Sequence, residues 1–131
     1  MAAPNLVNVA TITAKSVQAA LSTTVTTEIL ANAGSSGKVF KINNILVANI
    51  DGTNAATVTA AITKSGGSPI AFASTINVPA DSTLVLIDKD SAIYLEEGDN
   101  IEAGASAASD LTITINYEEL SYGGCSIGTL C

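Results

Sequence analysis

Leu111-Thr112-Ile113-Thr114-Ile115-Asn116-Tyr117-Glu118 alternates apolar and polar side chains without a break. Successive side chains of an extended chain point to opposite faces, so Leu, Ile, Ile and Tyr share one side and Thr, Thr, Asn and Glu the other. That period of two is the pattern of a half-buried antiparallel strand.

Much of the chain repeats it in shorter pieces. Strands are expected at 5–9, 11–14, 18–24, 25–31, 38–50, 55–63, 70–76, 83–87, 93–95 and 101–105, separated by Gly, Asn, Asp, Ser and Pro. Lys15 to Leu21 has room for one helical turn, but Thr23-Thr24-Val25-Thr26-Thr27 stops it. Asn43-Asn44 interrupts the alternation between Ile42 and Ile45, which predicts a β-bulge or a strand that changes sheets. Asp51-Gly52-Thr53-Asn54 carries a hairpin-turn signature. Turns every eight to twelve residues or so favour a sandwich or small barrel. The expectation is an all-β, antiparallel β-sandwich of jelly-roll type in one domain, residues 1–120. A short N-terminal arm and a Gly- and Cys-containing tail, residues 121–131, extend from it.

The composition points to assembly. There are 21 Ala, 14 Ile, 10 Leu and 9 Val, but two Phe, three Tyr and no Trp among 131 residues. Small and β-branched side chains pack densely, yet each buries little area, and hydrophobic stabilisation scales with area. Mean hydropathy is +0.42 and only 13% of residues are charged. Together these predict apolar surface buried against other chains, in a homo-oligomer, with a trimer favoured, or in a lattice; an Ala/Thr-rich monomer is the alternative.

Net charge is −7, with no Arg or His. Lys15, Lys38, Lys41, Lys64 and Lys89 are dispersed and form no basic stripe, which argues against nucleic acid and against anionic membrane surfaces as partners. No apolar run approaches the roughly 20 residues that span a bilayer. Met1-Ala2-Ala3-Pro4-Asn5 lacks the basic start of a secretory signal, so synthesis in a cytoplasm is expected.

Chemistry finds little footing. Without His, the usual general base is missing, and neither a Gly-x-Ser-x-Gly elbow nor a phosphate-binding Gly-rich loop occurs. Gly34-Ser35-Ser36-Gly37-Lys38 lacks the earlier glycine of such a loop and reads as a turn. The acidic groups Glu96-Glu97-Gly98-Asp99 and Asp88-Lys89-Asp90 read as solvated turn carboxylates. Calcium suits turn oxygens better than catalysis does, but no EF-hand loop is present. No enzyme activity, cofactor or metal is expected. Cys125 and Cys131 leave three readings open: free thiols, a disulfide closing a short loop, or a zinc site completed by other ligands. In the tail, Tyr122, Ile127 and Leu130 are too apolar for a purely solvated terminus and are expected to contact a neighbouring subunit.

Three segments then carry a resemblance. They are Lys41-Ile42-Asn43-Asn44-Ile45-Leu46-Val47-Ala48-Asn49-Ile50-Asp51-Gly52, Val78-Pro79-Ala80-Asp81-Ser82-Thr83-Leu84-Val85-Leu86-Ile87, and Ile93-Tyr94-Leu95-Glu96-Glu97-Gly98-Asp99-Asn100-Ile101. In that order, and closing with Leu111 to Leu120, they resemble small virion structural proteins of tailed bacteriophages, notably of marine and cyanobacterial myoviruses. The resemblance covers residues 38–120. It implies a non-enzymatic β-sandwich subunit of the virion that decorates or cements the capsid, with the major capsid protein as partner. A neck or tail component at the head–tail junction is the alternative. A carbohydrate-binding receptor module is a further one, although Tyr94, Tyr117 and Tyr122 are few for a sugar platform. Adhesion is expected from apolar patches and strand edges, with acidic turns facing solvent.

Overall fold

The computed structural model describes residues 11–121. Nine strands follow one another there: β1 (Thr11–Ala20), β2 (Glu28–Ala31), β3 (Lys38–Asn49), β4 (Ala56–Thr63), β5 (Ile70–Val78), β6 (Thr83–Ile87), β7 (Ile93–Leu95), β8 (Asn100–Ala105) and β9 (Leu111–Ser121). One sheet has the order β1-β9-β3-β6, with β7 also paired to β3; the other has the order β2-β8-β4-β5. Every pairing is antiparallel. The chain changes sheet at every connection except β4–β5 and β6–β7. This strand order, with two four-strand layers and one edge position split between β6 and β7, is that of a jelly roll.

β9 sits at the centre of its sheet for the reason its pattern announces. Leu111, Ile113 and Ile115 are fully buried, and Tyr117 nearly so, while Thr112, Thr114, Asn116 and Glu118 lie partly exposed on the outer face. β3 answers with Phe40, Ile42, Ile45 and Val47, and the second sheet with Val58, Ala60, Ile101 and Ala103. The rings of Phe40 and Tyr117 lie 5.1 Å apart. Elsewhere the layers close on alanine, valine and isoleucine, as the aromatic-poor composition requires. The two polar residues at Asn43-Asn44 form the expected bulge, with the β3–β9 register shifting between Ile42 and Asn44. The bulge falls opposite the gap where a single 3-10 turn, Lys89–Ser91, separates β6 from β7.

Several local expectations change in three dimensions. Thr11 to Ala20 is one uninterrupted strand, so neither the break after Ala14 nor the helical turn at Lys15 exists. Its side chains are mostly exposed, and pairing with β9 along its whole length decides its conformation. Residues 21–27 are loop rather than strand, because their backbone wraps onto β8. Ala105 N donates to Ser22 O and Ala103 N to Thr27 O. Gly104 permits this approach, since a Cβ there would stand 2.6 Å from Val25 Cα. Asp51-Gly52-Thr53-Asn54 is not a hairpin turn: it carries the chain from β3 in one sheet to β4 in the other. Asp51 still organises it, its Oδ1 accepting from the N–H groups of Thr53 and Asn54. β9 runs to Ser121, the last described residue.

Candidate functional site

Chemistry and structure compete for the same residues at buried polar groups. Asn32, Asn49, Asp99 and Glu119 are buried. Asn32 and Asn49 work alike near opposite ends of β3. Asn32 Nδ2 donates to Lys38 O (2.9 Å) and Leu95 O (3.0 Å), and its Oδ1 accepts from Ser36 Oγ (2.6 Å). Asn49 Nδ2 donates to Asn54 O (3.0 Å) and Val78 O (2.9 Å), and its Oδ1 accepts from Asp51 N (2.9 Å). Each clasps a loop that crosses between sheets, adding side-chain donors to carbonyls in the loop and at the strand ends.

Asp99 corrects the reading of its turn as solvated. It is 2% exposed, and its carboxylate accepts from Glu96 N (2.8 Å), Ser65 N (3.0 Å) and the Lys64 ammonium. Gly98, at φ +85, bends the turn so that this can happen. Glu97 is half-buried and accepts from Gly37 N (2.7 Å), while Glu96 is exposed and pairs with Lys64. The group thus ties the β4–β5 and β7–β8 connections together, and Glu97 adds the β2–β3 loop. Asp88 and Asp90 do lie exposed, and Asp88 caps the 3-10 turn by accepting from Asp90 N and Ser91 N. Among the described residues, no group of three or more Asp, Glu, Cys or His side chains is arranged to hold a metal ion. Cys125, Cys131, Tyr122, Ile127 and Leu130 lie outside the described residues.

Glu119 projects to the inner side of β9 and receives two ammonium groups, Lys38 at 3.0 Å and Lys15 at 3.2 Å. Burial pushes its pKa up, but the hydrogen bonds from Lys38 and Lys15 outweigh burial and hold it below 4.5. Asp51 is held below 3.8, chiefly by the Thr53 N–H and then by the Asn54 side chain. A carboxyl with a depressed folded pKa contributes stability above its unfolded value and loses it as the pH falls through the folded one. The thermal midpoint should therefore begin to decline as the pH drops below these ordinary values of 4.5 and 3.8 and keep falling. Lys64 is raised above 10.5 by its hydrogen bond to Asp99, so its contribution is present below that value and lost as the pH climbs past it. Circular-dichroism melts across the pH range check both limbs. Glu119→Gln should flatten the acid limb.

The edges of the two sheets are unequal. β2 has four residues and an irregular register with β8. β5 carries two register shifts against β4, and Thr75, at φ +48 within it, bonds through its N–H to Thr59 Oγ1. The β6/β7 edge is broken by the 3-10 turn. Short strands, bulges and breaks are the devices by which proteins prevent an edge from recruiting another strand. β1 has none of them. It pairs with β9 over ten consecutive residues without a shift and contains no proline. Its one charged residue, Lys15, turns inward to Glu119.

The outer face of the same sheet continues this character. Its side chains include Ile12, Ala14, Ser16, Gln18 and Ala20 from β1, then Thr112, Thr114 and Asn116 from β9. Leu46 and Ala48 follow from β3, and Val85 and Tyr94 from the far edge. The chain has five Lys and twelve Asp or Glu, all within residues 11–121. Of these seventeen charged residues, the strands present only Lys41 and Glu118 on this face, one of each sign and opposite each other in register. The acidic surplus lies on the other sheet and in the loops. Glu28 even stands across from Glu102 on β2 and β8, the pair accommodated by Asn100, which donates to Glu28, and Thr63, which donates to Glu102. A hollow of about 380 Å3 opens along the charge-poor sheet where the bulge lies, lined by Ala14, Lys15, Ser16, Asn43, Asn116 and Tyr117. Asn116 Nδ2 donates to Asn44 Oδ1 nearby (2.6 Å).

The sequence reading expected adhesion through strand edges without naming an edge. It missed β1, because an edge is defined by what fails to pair with it. The sequence matches no family model, and no curated protein is similar to it.

Proposed function

We propose that this protein is a non-enzymatic structural subunit of a tailed-bacteriophage virion, decorating the capsid as a cement protein and assembling with copies of itself and with the major capsid protein. The observation that carries the proposal is the long, unblunted edge of β1, continuous with a charge-poor sheet face on a chain of net charge −7. Bringing strongly acidic copies together is favourable only through surface that carries little of the charge. The charge-poor sheet offers such surface, and the acidic sheet and loops then remain toward solvent. The order of segments over residues 38–120, similar to that of small phage virion proteins, supports the same reading.

Purified particles of the phage that encodes the chain test this. Mass spectrometry should find the protein in the particles, and cryo-electron microscopy should place it repeatedly over the head lattice. Density confined to one ring at the head–tail junction would favour the neck or tail alternative. Particles lacking the protein would end the virion reading altogether.

A further inference from the structure

We infer that β1 is a self-pairing edge: two copies join β1 to β1 in antiparallel fashion about a two-fold axis at Ser16, making one continuous sheet across the dimer. The inference deepens the assembly reading by naming the surface and the partner, and it rests on that reading only for the use to which the contact is put.

The backbone sets the register. Leu21 N donates to Leu111 O (2.8 Å) and Ile50 N to Asp110 O (2.8 Å). Bonded positions alternate along an antiparallel strand. Odd-numbered residues of β1 therefore face β9, whose even-numbered residues face β3. This leaves the N–H and C=O groups of Ile12, Ala14, Ser16, Gln18 and Ala20 directed away from the sheet, where no described strand meets them. With the axis at Ser16, residue pairs are 12 with 20, 14 with 18, and 16 with 16. All five outward residues of each copy then meet outward residues of the other. Five bonded pairs exchange about ten hydrogen bonds. Moving the axis to Lys15 or Val17 leaves four such pairs, and the Lys15 axis also sets two ammonium groups opposite each other.

Two features commit the occupant to a second copy. A sheet-to-sheet junction needs an open edge from each partner, and among the described strands only β1 is long, unbroken and unshifted. Charge permits the junction as well. Residues 12–20 contain no acid, and in this register Lys15 faces the partner's Val17 while staying on its own Glu119. A two-fold contact of this kind closes at two copies. The trimer expected from composition would need β1 to meet a different edge, and those edges are interrupted.

Sedimentation of the full chain at micromolar concentration should give about 26 kDa, twice the chain mass of 13.1 kDa. Ser16→Pro removes an outward N–H without touching a bond to β9, a placement that edge strands tolerate. It should yield a monomer whose melting midpoint stays close to that of the parent. In a Cys125→Ser/Cys131→Ser background, Ser16→Cys should form an intermolecular disulfide under mild oxidation. Gln18→Cys, which faces Ala14 of the other copy, should not. A parent chain that is monomeric at that concentration, a Ser16→Pro chain that stays dimeric, or equal cross-linking at 16 and 18 would each overturn the pairing. A monomer that still incorporates into particles would overturn the pairing and leave the virion reading intact. A Ser16-linked dimer absent from particles would do the reverse.

Discussion

Ile113→Ala and Ile115→Ala are each expected to cost about 2–5 kcal/mol of folding stability, and Thr112→Ala and Thr114→Ala to stay within about 1 kcal/mol. Both isoleucines are completely buried between the sheets, on the strand flanked by β1 and β3. Truncating one removes most of a side chain from a layer built of Ile, Val and Ala, whose neighbours are too short to close the gap, so transfer and cavity terms add. The threonines lie on the outer face and lose only partly exposed surface. Urea denaturation of the four variants at one fixed protein concentration measures the contrast. Equal losses at all four positions would mean that the outer face is covered as thoroughly as the inner one.

Asn32→Ala is expected to cost about 2–4 kcal/mol, more than the removal of any exposed polar residue. The carbonyls of Lys38 and Leu95 each lose a donor and the Ser36 hydroxyl loses its acceptor, at a site where Asn32 is 1% exposed. Leaving a buried polar group unpaired costs about 1–3 kcal/mol. Asn32→Asp should be worse near neutral pH, because it sets a carboxylate oxygen against two carbonyl oxygens. It should recover in part on acidification, when a protonated carboxyl regains one donor. The parent's stability moves the opposite way in acid, as Glu119 and Asp51 are protonated. Comparing Asn32→Asp with the parent in urea melts across the acid range therefore separates the hydrogen-bond account from simple loss of packing. A parallel acid decline in both chains would refute it.

Much of the fold was legible in order of sequence. The alternation at Leu111–Glu118, the bulge at Asn43-Asn44 and the strands after Ile70 all follow from the period-two rule and from turn residues, which act over a few neighbours. The sandwich class followed from their number and spacing. Where the reading failed, a distant partner had overruled a local preference. β1 is one strand because β9 pairs with all of it, and residues 21–27 are loop because β8 captures their backbone at Gly104. Asp99 is buried because Lys64 and Ser65, thirty-four or more residues earlier, supply its donors.

The same division separates the material of the functional surface from its location. Net charge, hydropathy and the small-residue composition are sums over the chain, so the sequence by itself determined that the protein is acidic and aromatic-poor. Only the tertiary structure decided which strand has an unblunted edge and which sheet face escapes the acidic residues. Both properties depend on what a strand does not pair with and on which residues from distant segments come to share a face. No local pattern encodes an absence of neighbours. Tyr117 and Glu119, two residues apart on one strand, show the limit: their parity predicts that they share a side, but only the arrival of Lys15 and Lys38 gives the buried carboxylate of the second its two ion-pair partners.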